Sequence, residues 1–557
     1  MNRLRRALAD TRASSLAVAA VSIVVFAGAL GNGFAYDDVT VVAGDPRVTG
    51  AASWTSILSG PYVVGTGGEF ALYRPLPTLS FAADWALSSG SAGWFHAVNL
   101  LWHAGASVLV LLLLRGLFPA AAALAGALVF AVHPVHAEAV ANVVGRAELM
   151  AAAFALAAAV VWLGAWRWRV AAAGALFAAA LLSKESAVML PPLLLVLDFA
   201  KGRWSLQRSE LRTYVARSWR GYAALAAVTI AWLVLRAALL GALTPGVVHP
   251  AADVAAGRLD LIRTALLAWP EYVRLLFFPV TLLADYGPRV LMPATGWTPG
   301  ALLGLVVVAA VVVGAVLAVT RRRRTTALAL LWFAIAILPV SNLLVTIGTL
   351  VAERTLYLPS FSVAVVAAAL WNADRSRFPR AAVLRAAVVV AGLLLVTRTM
   401  LRVPDWKSTD SIFAALERDR PDSYRAVWYR ARALQARRGP AVAHADYLRA
   451  VELWPYRRGL VLEAMTNAMN AGEVADARVL VRHAAREWPE DVAMHRLQAA
   501  LALDVGDTAT ARQAVAAGLR VDPSDDLLRR MQSAIAQGAA PPPIRESPAA
   551  HDVMGSE

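Results

Sequence analysis

Long uncharged runs recur over the first 401 residues and constrain the fold more than any other feature of this chain. Most of them approach the roughly 20 residues that a helix needs to cross the hydrocarbon of a bilayer. With 59% hydrophobic and only 16% charged residues, the chain is also far more apolar than a soluble globular protein. The sequence therefore predicts an all-α fold, a polytopic bundle of membrane-spanning helices. The main runs lie at residues 13–36, 94–114, 116–132, 149–166, 299–320, 325–352 and 355–373.

Shorter or interrupted runs complete the predicted bundle of 11 spans. The basic residues between spans fall where an alternating chain returns to the cytoplasm, and the "RRRR" of 321–324 is the clearest case. The net charge of +15 is therefore a topology signal, and we expect no nucleic-acid partner. This topology predicts a cytoplasmic N-terminus and an extracytoplasmic C-terminal region. The shorter runs lie at 170–183, 186–200, 221–243 and 385–401.

Two segments leave room for another topology. Residues 261–283 are long enough to cross but contain Arg263, Glu271 and Arg274, and their crossing would move "RRRR" outside. We therefore expect them to lie at the outer interface or to form a re-entrant element. The basic N-terminus before the first run resembles a signal peptide, but the long run without a convincing processing site favours a retained anchor.

After residue 402 the apolar runs end and a repeat begins. The dipeptides "RP", "WP", "WP" and "DP" start at 420, 454, 488 and 522, each 34 residues apart, which is the tetratricopeptide period. Each such helix pair buries its face only against its neighbours. We predict a membrane domain at 1–402, a tetratricopeptide-repeat α-solenoid at 403–537 and a disordered tail at 538–557. The repeats are expected to hold an acceptor protein or peptide, although a spacer would have the same period.

Charged and polar residues gather at the span ends that this topology places outside. A charge near the centre of a membrane helix costs about 2.5–3.5 kcal/mol, so these residues call for an explanation. We expect them to line one polar cavity at the outer face, suited to a lipid-linked anionic donor whose tail stays in the bilayer. They are Asp37, Asp38, Arg74, His96, Asn99, His103, His133, His136, Glu138, Arg146, Glu148, Lys184, Glu185, Glu353 and Arg354.

Each group also has a purely structural interpretation. Asp37 and Asp38 could end the first span in water, and Lys184 with Glu185 could snorkel or pair at the membrane boundary. Glu353 and Arg354 leave the same two interpretations open.

The segment "HPVHAE" offers imidazoles and a carboxylate, which suit a divalent metal. However, the spacing of His133, His136 and Glu138 matches no zinc signature. Hydrogen bonding to a substrate or to the loop itself is therefore favoured, and no metal is predicted.

Guanidinium groups are the best phosphate ligands in this set, because they bind an oxyanion in bidentate fashion and stay charged. Arg74, Arg146 and Arg354 are the candidates. No Walker loop or dinucleotide fingerprint accompanies them, which disfavours a cytoplasmic nucleotide as donor.

The chain resembles the transmembrane and tetratricopeptide-repeat O-mannosyltransferases, which belong to the C-type superfamily of polytopic glycosyltransferases. The resemblance covers most of residues 20–530 and includes the order of the motifs. These are "YDD", "YRPLPTLSF", "WFHAVNLLWH", "AVHPVHAEAVANVVGRAELMA", "LLSKES", "PVSNLL" and "AERTLYLPS", followed by the repeats.

The resemblance implies an inverting enzyme that moves a sugar, mannose in these relatives, from a polyprenyl-phosphate donor to an acceptor hydroxyl at the extracytoplasmic face. It also implies that the acidic motif after the first span supplies the base, either Asp37 or Asp38. Arg354, with Arg146, Arg74 or Lys184, is then expected to neutralise the leaving phosphate. The few repeats and the Ala- and Arg-rich composition suggest a bacterial member in the cytoplasmic membrane.

Two other functions remain open. The acceptor could be a lipid or a cell-envelope glycan instead of protein Ser or Thr. The chain could also be a non-enzymatic membrane scaffold whose repeats gather partners, although a scaffold would not explain the outer-face charges.

Overall fold

The structure, a computed structural model, is helical throughout the residues it describes, and none of them forms a strand. The predicted all-α fold is thereby confirmed. The predicted tail lies outside the described residues, except for Gly538 at its start. The described residues are 10–64, 72–241, 251–252, 254–373 and 380–538.

The chain divides into two compact units. The first comprises the residues up to Tyr286 together with Pro293–Ile412, and the second comprises Gly287–Met292 and the residues from Phe413 onward. The first unit contains fifteen described helices and the start of α16. Their bounds are α1 Thr11–Phe26, α2 Pro46–Thr49, α3 Pro75–Ser88, α4 Ala92–Arg115, α5 Ala120–Ala131, α6 Ala137–Ala141, α7 Arg146–Leu163, α8 Arg169–Ser183, α9 Leu190–Ala200, α10 Arg208–Leu240, α11 Arg258–Phe277, α12 Pro299–Thr320, α13 Arg324–Ile337, α14 Phe361–Trp371, α15 Ala381–Arg402 and α16 Thr409–Asp419.

Six helical segments among the described residues are long and apolar enough to cross a membrane, and a seventh if the bent pair of α5 and Pro134–Ala141 counts as one span. The protein is therefore a multi-pass membrane protein. Every predicted run overlaps with a helix, whereas the count of 11 spans stays a prediction because several of these helices are short. Helix α11, in the ambiguous segment, is not among the candidates. The six are Thr11–Gly31, Ala92–Arg115, Val143–Leu163, Arg208–Leu240, Pro299–Thr320 and Ala381–Trp406.

Helix α7 lies at the centre of the first unit. In the most apolar window of the segment Val143–Leu163, 83% is buried inside the protein. The corresponding share is 17% for Pro299–Thr320 and 11% for Ala381–Trp406. Its alanine-rich sequence allows α4 and α8 to pack closely on it. The turn before it needs a glycine, because a Cβ on Gly145 would lie 2.2 Å from the carbonyl oxygen of Ala139. This crowded turn positions the first half of the candidate site.

The second unit repeats its helices at the predicted interval. Four helices start at residues 424, 458, 492 and 526, and three start at 440, 474 and 508, so both sets keep 34 residues between starts. Each helix packs on the next one along the chain. The period is thus present in the structure, while its assignment as a tetratricopeptide solenoid stays a prediction. The helices are α17 Tyr424–Arg438, α18 Pro440–Leu453, α19 Arg458–Ala471, α20 Val474–Glu487, α21 Val492–Asp504, α22 Thr508–Val521 and α23 Asp526–Gln537.

Candidate active site

Three segments far apart in the sequence meet at the side chain of Arg354. Its Nη1 lies 3.2 Å from Oδ2 of Asp37 and 2.9 Å from Oε1 of Glu138. The backbone N–H of Arg354 also donates to Oε2 of Glu138 at 2.8 Å. The loop after α1, helix α6 and the "AERTL" turn therefore form one cluster of charges. Glu138 and Asp37 raise the pKa of the Arg354 guanidinium even though burial opposes this, so it stays a cation.

Asp38 has a different environment from its neighbour. Its side chain is fully buried and accepts hydrogen bonds from the backbone N–H groups of Val144 at 2.8 Å, Val143 at 3.2 Å and Ala35 at 3.3 Å. Burial raises the pKa of Asp38 to about 7, although these N–H groups lower it. The carboxyl thus ties the end of the first span to the turn before α7.

Asp37 remains closer to solvent and to the charge cluster. Its side chain is 11% exposed, and that of Arg354 is 23% exposed, so this pair reaches the surface of the unit. The adjacent carboxylates therefore have separate surroundings, one polar and accessible, the other enclosed by backbone.

Two more ion pairs extend the cluster. Arg74 donates to Glu185 through Nε at 3.0 Å and Nη2 at 2.5 Å, and Lys184 pairs with Glu148. Burial raises the pKa of the Glu185 carboxyl, but Arg74 outweighs this and lowers it to about 2. Glu148 acts electrostatically on both Arg74 and Arg354. Arg74, Lys184, Glu148 and Glu185 thus belong to the same electrostatic neighbourhood as Asp37.

Tyr62 also belongs to this neighbourhood and was not identified from the sequence. The guanidinium of Arg74 stacks on its ring at 5.1 Å, and its buried hydroxyl has no hydrogen-bond partner among the described residues. Burial, Asp37 and Asp38 raise the pKa of this phenol although Arg74 and Arg354 lower it. A lone aromatic in a loop such as "SGPYVVG" gives no signal in a single sequence.

Arg146 lies elsewhere, within the packed interior. It pairs with Asp84, and its nitrogens donate to Asn99 Oδ1 at 2.8 Å, Ser80 Oγ at 2.7 Å and the Phe95 carbonyl at 2.9 Å. The side chain is fully buried, so its hydrogen-bonding capacity is used inside the protein. Asp84, the partner that keeps this cation in place, was missed because a single acid in an amphipathic helix carries no spacing signal.

The histidines join helices instead of facing Arg354. His133 contacts the carbonyl of Leu276 at 2.9 Å, and its Nδ1 accepts from the backbone of Val135. His136 bonds Ser360 Oγ at 2.8 Å, and its ring centroid lies 4.4 Å from that of Tyr357.

Two further predicted polar residues pack in the same manner. His103 bonds the Tyr357 hydroxyl at 2.7 Å and the carbonyl of Ala131 at 3.0 Å, while His96 contacts the Gly33 carbonyl at 3.2 Å. The predicted binding of a substrate by His96, His133 and His136 stays a prediction.

Glu353 faces away from the cluster formed by its neighbour Arg354. Its Oε1 accepts from the backbone N–H of Leu283 at 2.5 Å and from the Tyr286 hydroxyl at 2.8 Å. Its Oε2 lies 3.7 Å from the guanidinium of Arg402. Burial raises the pKa of this carboxyl to about 7, despite Arg402. Glu353 thus anchors the turn that presents Arg354.

His133, His136 and Glu138 do not form a metal-ligand group in this structure. Among the residues that the structure describes, His444, Glu473 and Asp476 are the only three such side chains whose ligand atoms lie within 4.8 Å of one another. They belong to the repeats, where His444 already bonds Asn467 and Asp476.

The chain is similar to several curated proteins. The chain is 28% identical over 408 residues to the protein O-mannosyl-transferase F38B6.6 of Caenorhabditis elegans, which covers 72% of this chain and 57% of that one. Human protein O-mannosyl-transferase TMTC4 is 28% identical over 461 residues, covering 72% and 61% of the two chains. Drosophila melanogaster Tmtc2 is 36% identical over 203 residues, covering 34% and 22%.

The chain thus spans less than two thirds of the length of these relatives. All three come from animals, so the predicted bacterial origin stays a prediction. No family model and no solved structure matches the chain. The printed names of these relatives describe protein O-mannosyl-transferases.

Proposed function

We propose that the protein is a membrane glycosyltransferase that moves a sugar, mannose by analogy with its relatives, from a polyprenyl-phosphate donor to a Ser or Thr hydroxyl of a protein at the extracytoplasmic face. The observation that carries this proposal is the contact of Asp37 with Arg354 beside Glu138. It places a partly accessible carboxylate, a candidate base, against a permanent cation.

In the proposed reaction Asp37 is the general base. Its carboxylate takes the proton of the acceptor hydroxyl while that oxygen forms a bond to the anomeric carbon. The bond between the anomeric carbon and the phosphate oxygen breaks, and its electron pair leaves with polyprenyl phosphate. Attack opposite the leaving group inverts the anomeric centre.

Arg354 is proposed to stabilise the charge that develops on the leaving phosphate. Fixed charges aimed at such an oxyanion contribute strongly where water is scarce. Arg74 and Lys184 add positive charge nearby, and Glu148 and Glu185 can accept hydrogen bonds from sugar hydroxyls. Because guanidinium and ammonium groups meet the phosphate charge, we propose no divalent metal or other cofactor.

Asp38 is proposed to position the base instead of acting as one. Its three backbone hydrogen bonds hold the loop in which Asp37 faces Arg354. A group enclosed in this way cannot reach an acceptor hydroxyl without breaking these bonds.

The repeats are proposed to hold the acceptor. In the second unit a groove of about 640 Å³ is lined by Arg458, Trp488, Asp491 and Arg496, among others. An indole beside charged groups suits an extended peptide, which offers both backbone amides and side chains.

The test is transfer from a synthetic polyprenyl-phosphate mannose to an unfolded acceptor protein by the purified chain. Asp37→Asn should lower kcat by about 10²- to 10⁴-fold, the contribution expected of a general base, with an unchanged Tm. Asp38→Asn should instead lower stability by about 1–3 kcal/mol, because its amide NH₂ would face backbone N–H donors.

The exposed Asp422→Asn is the matched control and should leave kcat and Tm at wild-type values. Full activity of Asp37→Asn would overturn the assignment of the base. Transfer to lipid or glycan acceptors but to no protein would replace the proposed acceptor. No transfer from any lipid-linked sugar, with partner capture by the repeats, would favour the scaffold.

A further inference from the structure

Arg236 is a cation within a membrane-spanning helix. It lies four residues before the last helical position of α10, in the apolar stretch "AWLVLRAALL", and only 7% of the residue is exposed. Intramembrane cations are costly and face the protein interior or a polar pathway where they occur. The opposite face of the helix is apolar and lies at the surface of the unit, because Ile230 and Val234 are 61% and 63% exposed.

Two hydrogen-bond donors on the inward face of α10 lack an acceptor among the described residues. The Nε–H of Arg236 and the Nε1–H of Trp232 are buried, and neither has a partner among the residues that the structure describes. The residues are four apart, so they share one face, and the guanidinium lies 5.6 Å from the indole centroid. Buried donors are nearly always satisfied, so this adjacent pair points to an acceptor that the described residues do not supply.

The charges around Arg236 point to the sign of the missing group. The charged residues that act on it are Glu185, which attracts it, and Arg74, which repels it. Glu185 is already bound in bidentate fashion by Arg74. Among the described residues, no carboxylate is thus paired with Arg236 alone, so an anion would complement its charge.

Arg146, an arginine that joins helices, is buried differently. Arg146, also within a spanning segment, donates from Nε, Nη1 and Nη2 to protein acceptors and pairs with Asp84. Arg236 makes no hydrogen bond within the described part of the chain. A buried cation without a counter-charge destabilises the fold, which favours a role of Arg236 in ligand binding.

We propose that Arg236, with Arg74 and Trp232, binds the phosphate of the polyprenyl-phosphate donor as it enters from the bilayer beside α10. A phosphate offers several acceptor oxygens and a negative charge, which matches two guanidinium groups and an indole N–H. A lipid tail matches the apolar outer face of α10. The inference rests on the proposed function for the identity of the lipid, because free phosphate and anionic phospholipids share its headgroup chemistry.

The experiment uses the full chain in phosphatidylcholine nanodiscs, with binding measured by titration and stability by thermal unfolding. The probes are polyprenyl phosphate, phosphatidylglycerol and inorganic phosphate. Arg236→Gln should weaken polyprenyl phosphate binding about tenfold or more, the loss expected for one charged hydrogen bond. Its Tm without ligand should equal or exceed that of the wild type, because a buried, unsatisfied cation is removed.

Two further variants keep the test decisive. Arg236→Lys retains the charge and should restore part of the affinity. Arg220→Gln removes an exposed charge sixteen residues earlier in the same helix and should bind like the wild type. A folded Arg236→Gln with wild-type affinity would overturn the proposal, as would a large drop of its ligand-free Tm without loss of affinity. Equal affinity for phosphatidylglycerol or inorganic phosphate would overturn the assignment to the donor.

The outcome separates this site from the proposed function. If the wild type binds polyprenyl phosphate through Arg236 but transfers no sugar, the function fails and the site stands. If Arg236→Gln transfers sugar with unchanged kcat and KM, the function stands and the site fails.

Discussion

The residue before the two aspartates has a left-handed backbone. Tyr36 has a φ of 55°, a conformation that costs a non-glycine residue of order 1–3 kcal/mol. Its backbone N–H donates to Thr409 Oγ1 at 2.9 Å, and Asp38 binds the turn before α7 two residues later. These contacts hold the strained residue in place. The left-handed conformation of Tyr36 turns the chain, which explains why the carboxyls of Asp37 and Asp38 contact different partners.

Glu353 should make the stability of the fold depend on pH. Burial raises its pKa in the folded protein to about 7 from an ordinary 4.5, so its contribution is fully present below about pH 4.5 and is lost as pH rises through 7. Asp38, with a pKa of about 7 for the same reason, acts in the same direction. We expect the Tm of the wild type to fall between pH 5 and 8, and that of Glu353→Gln to fall less, as measured by thermal unfolding in one detergent.

Glu185 provides the matched control for this pH profile. Arg74 lowers its pKa to about 2, so its contribution is constant above about pH 4.5 and is lost only as pH falls through 2. Glu185→Gln should therefore displace the whole Tm profile without changing its slope between pH 5 and 8. A slope in Glu353→Gln identical to that of the wild type would contradict the assignment.

At the scale of the helices, one buried ion pair joins three elements. Arg146 at the start of α7 binds Asp84 in α3 and the Phe95 carbonyl in α4. Its guanidinium also lies 4.8 Å from the ring centroid of Phe81. These contacts fix the start of α7, and the turn before α7 binds Asp38. The Arg146–Asp84 ion pair therefore helps to position the candidate site, although it does not face that site.

Breaking the Arg146–Asp84 ion pair should destabilise the protein strongly. Asp84→Asn leaves the Arg146 cation buried without its counter-charge, which costs about 3–5 kcal/mol in comparable pairs. We expect a clear loss of Tm, with donor affinity unchanged in the molecules that remain folded. Asp419→Asn, which removes an exposed pair with Arg418, is the control and should cost at most about 1 kcal/mol. A stable Asp84→Asn with weakened donor binding would instead make Arg146 the phosphate ligand that its sequence context predicts.

For the whole molecule, the decisive property is its orientation in the membrane. The chain contains no cysteine, so single cysteines report on topology without background. Ala51 is exposed in the loop after the first span, and Thr325 follows the basic "RRRR". Under the predicted topology these two residues lie on opposite sides of the bilayer.

We expect an impermeant maleimide to label Ala51→Cys in intact cells and Thr325→Cys only after permeabilisation. The physical reason is the retention of clustered Arg on the cytoplasmic side. Labelling of Thr325→Cys in intact cells would mean that α11 crosses the membrane or that the orientation is reversed. Either result would contradict the placement of the candidate site on the extracytoplasmic face.

The helical class, the positions of the apolar helices and the 34-residue period could be read from the sequence alone. Apolar runs and proline spacing are local properties. The length of an apolar run follows from the thickness of a bilayer. A fixed interval between prolines follows from the length of a repeated helix pair. The predicted topology also placed the segments that contain Asp37, Glu138 and Arg354 on one side of the membrane, because it assigns each loop to a side.

Only the tertiary structure decided what each polar side chain contacts. It separated the enclosed Asp38 from Asp37, directed Glu353 toward Tyr286 and Arg354 toward Asp37, and used Arg146 to join helices. Among the described residues it also left the Nε–H of Arg236 without an acceptor, in an apolar stretch where the sequence shows a single charge. Contacts between residues more than sixty positions apart depend on how the helices pack, and a single sequence contains no local signal of that packing.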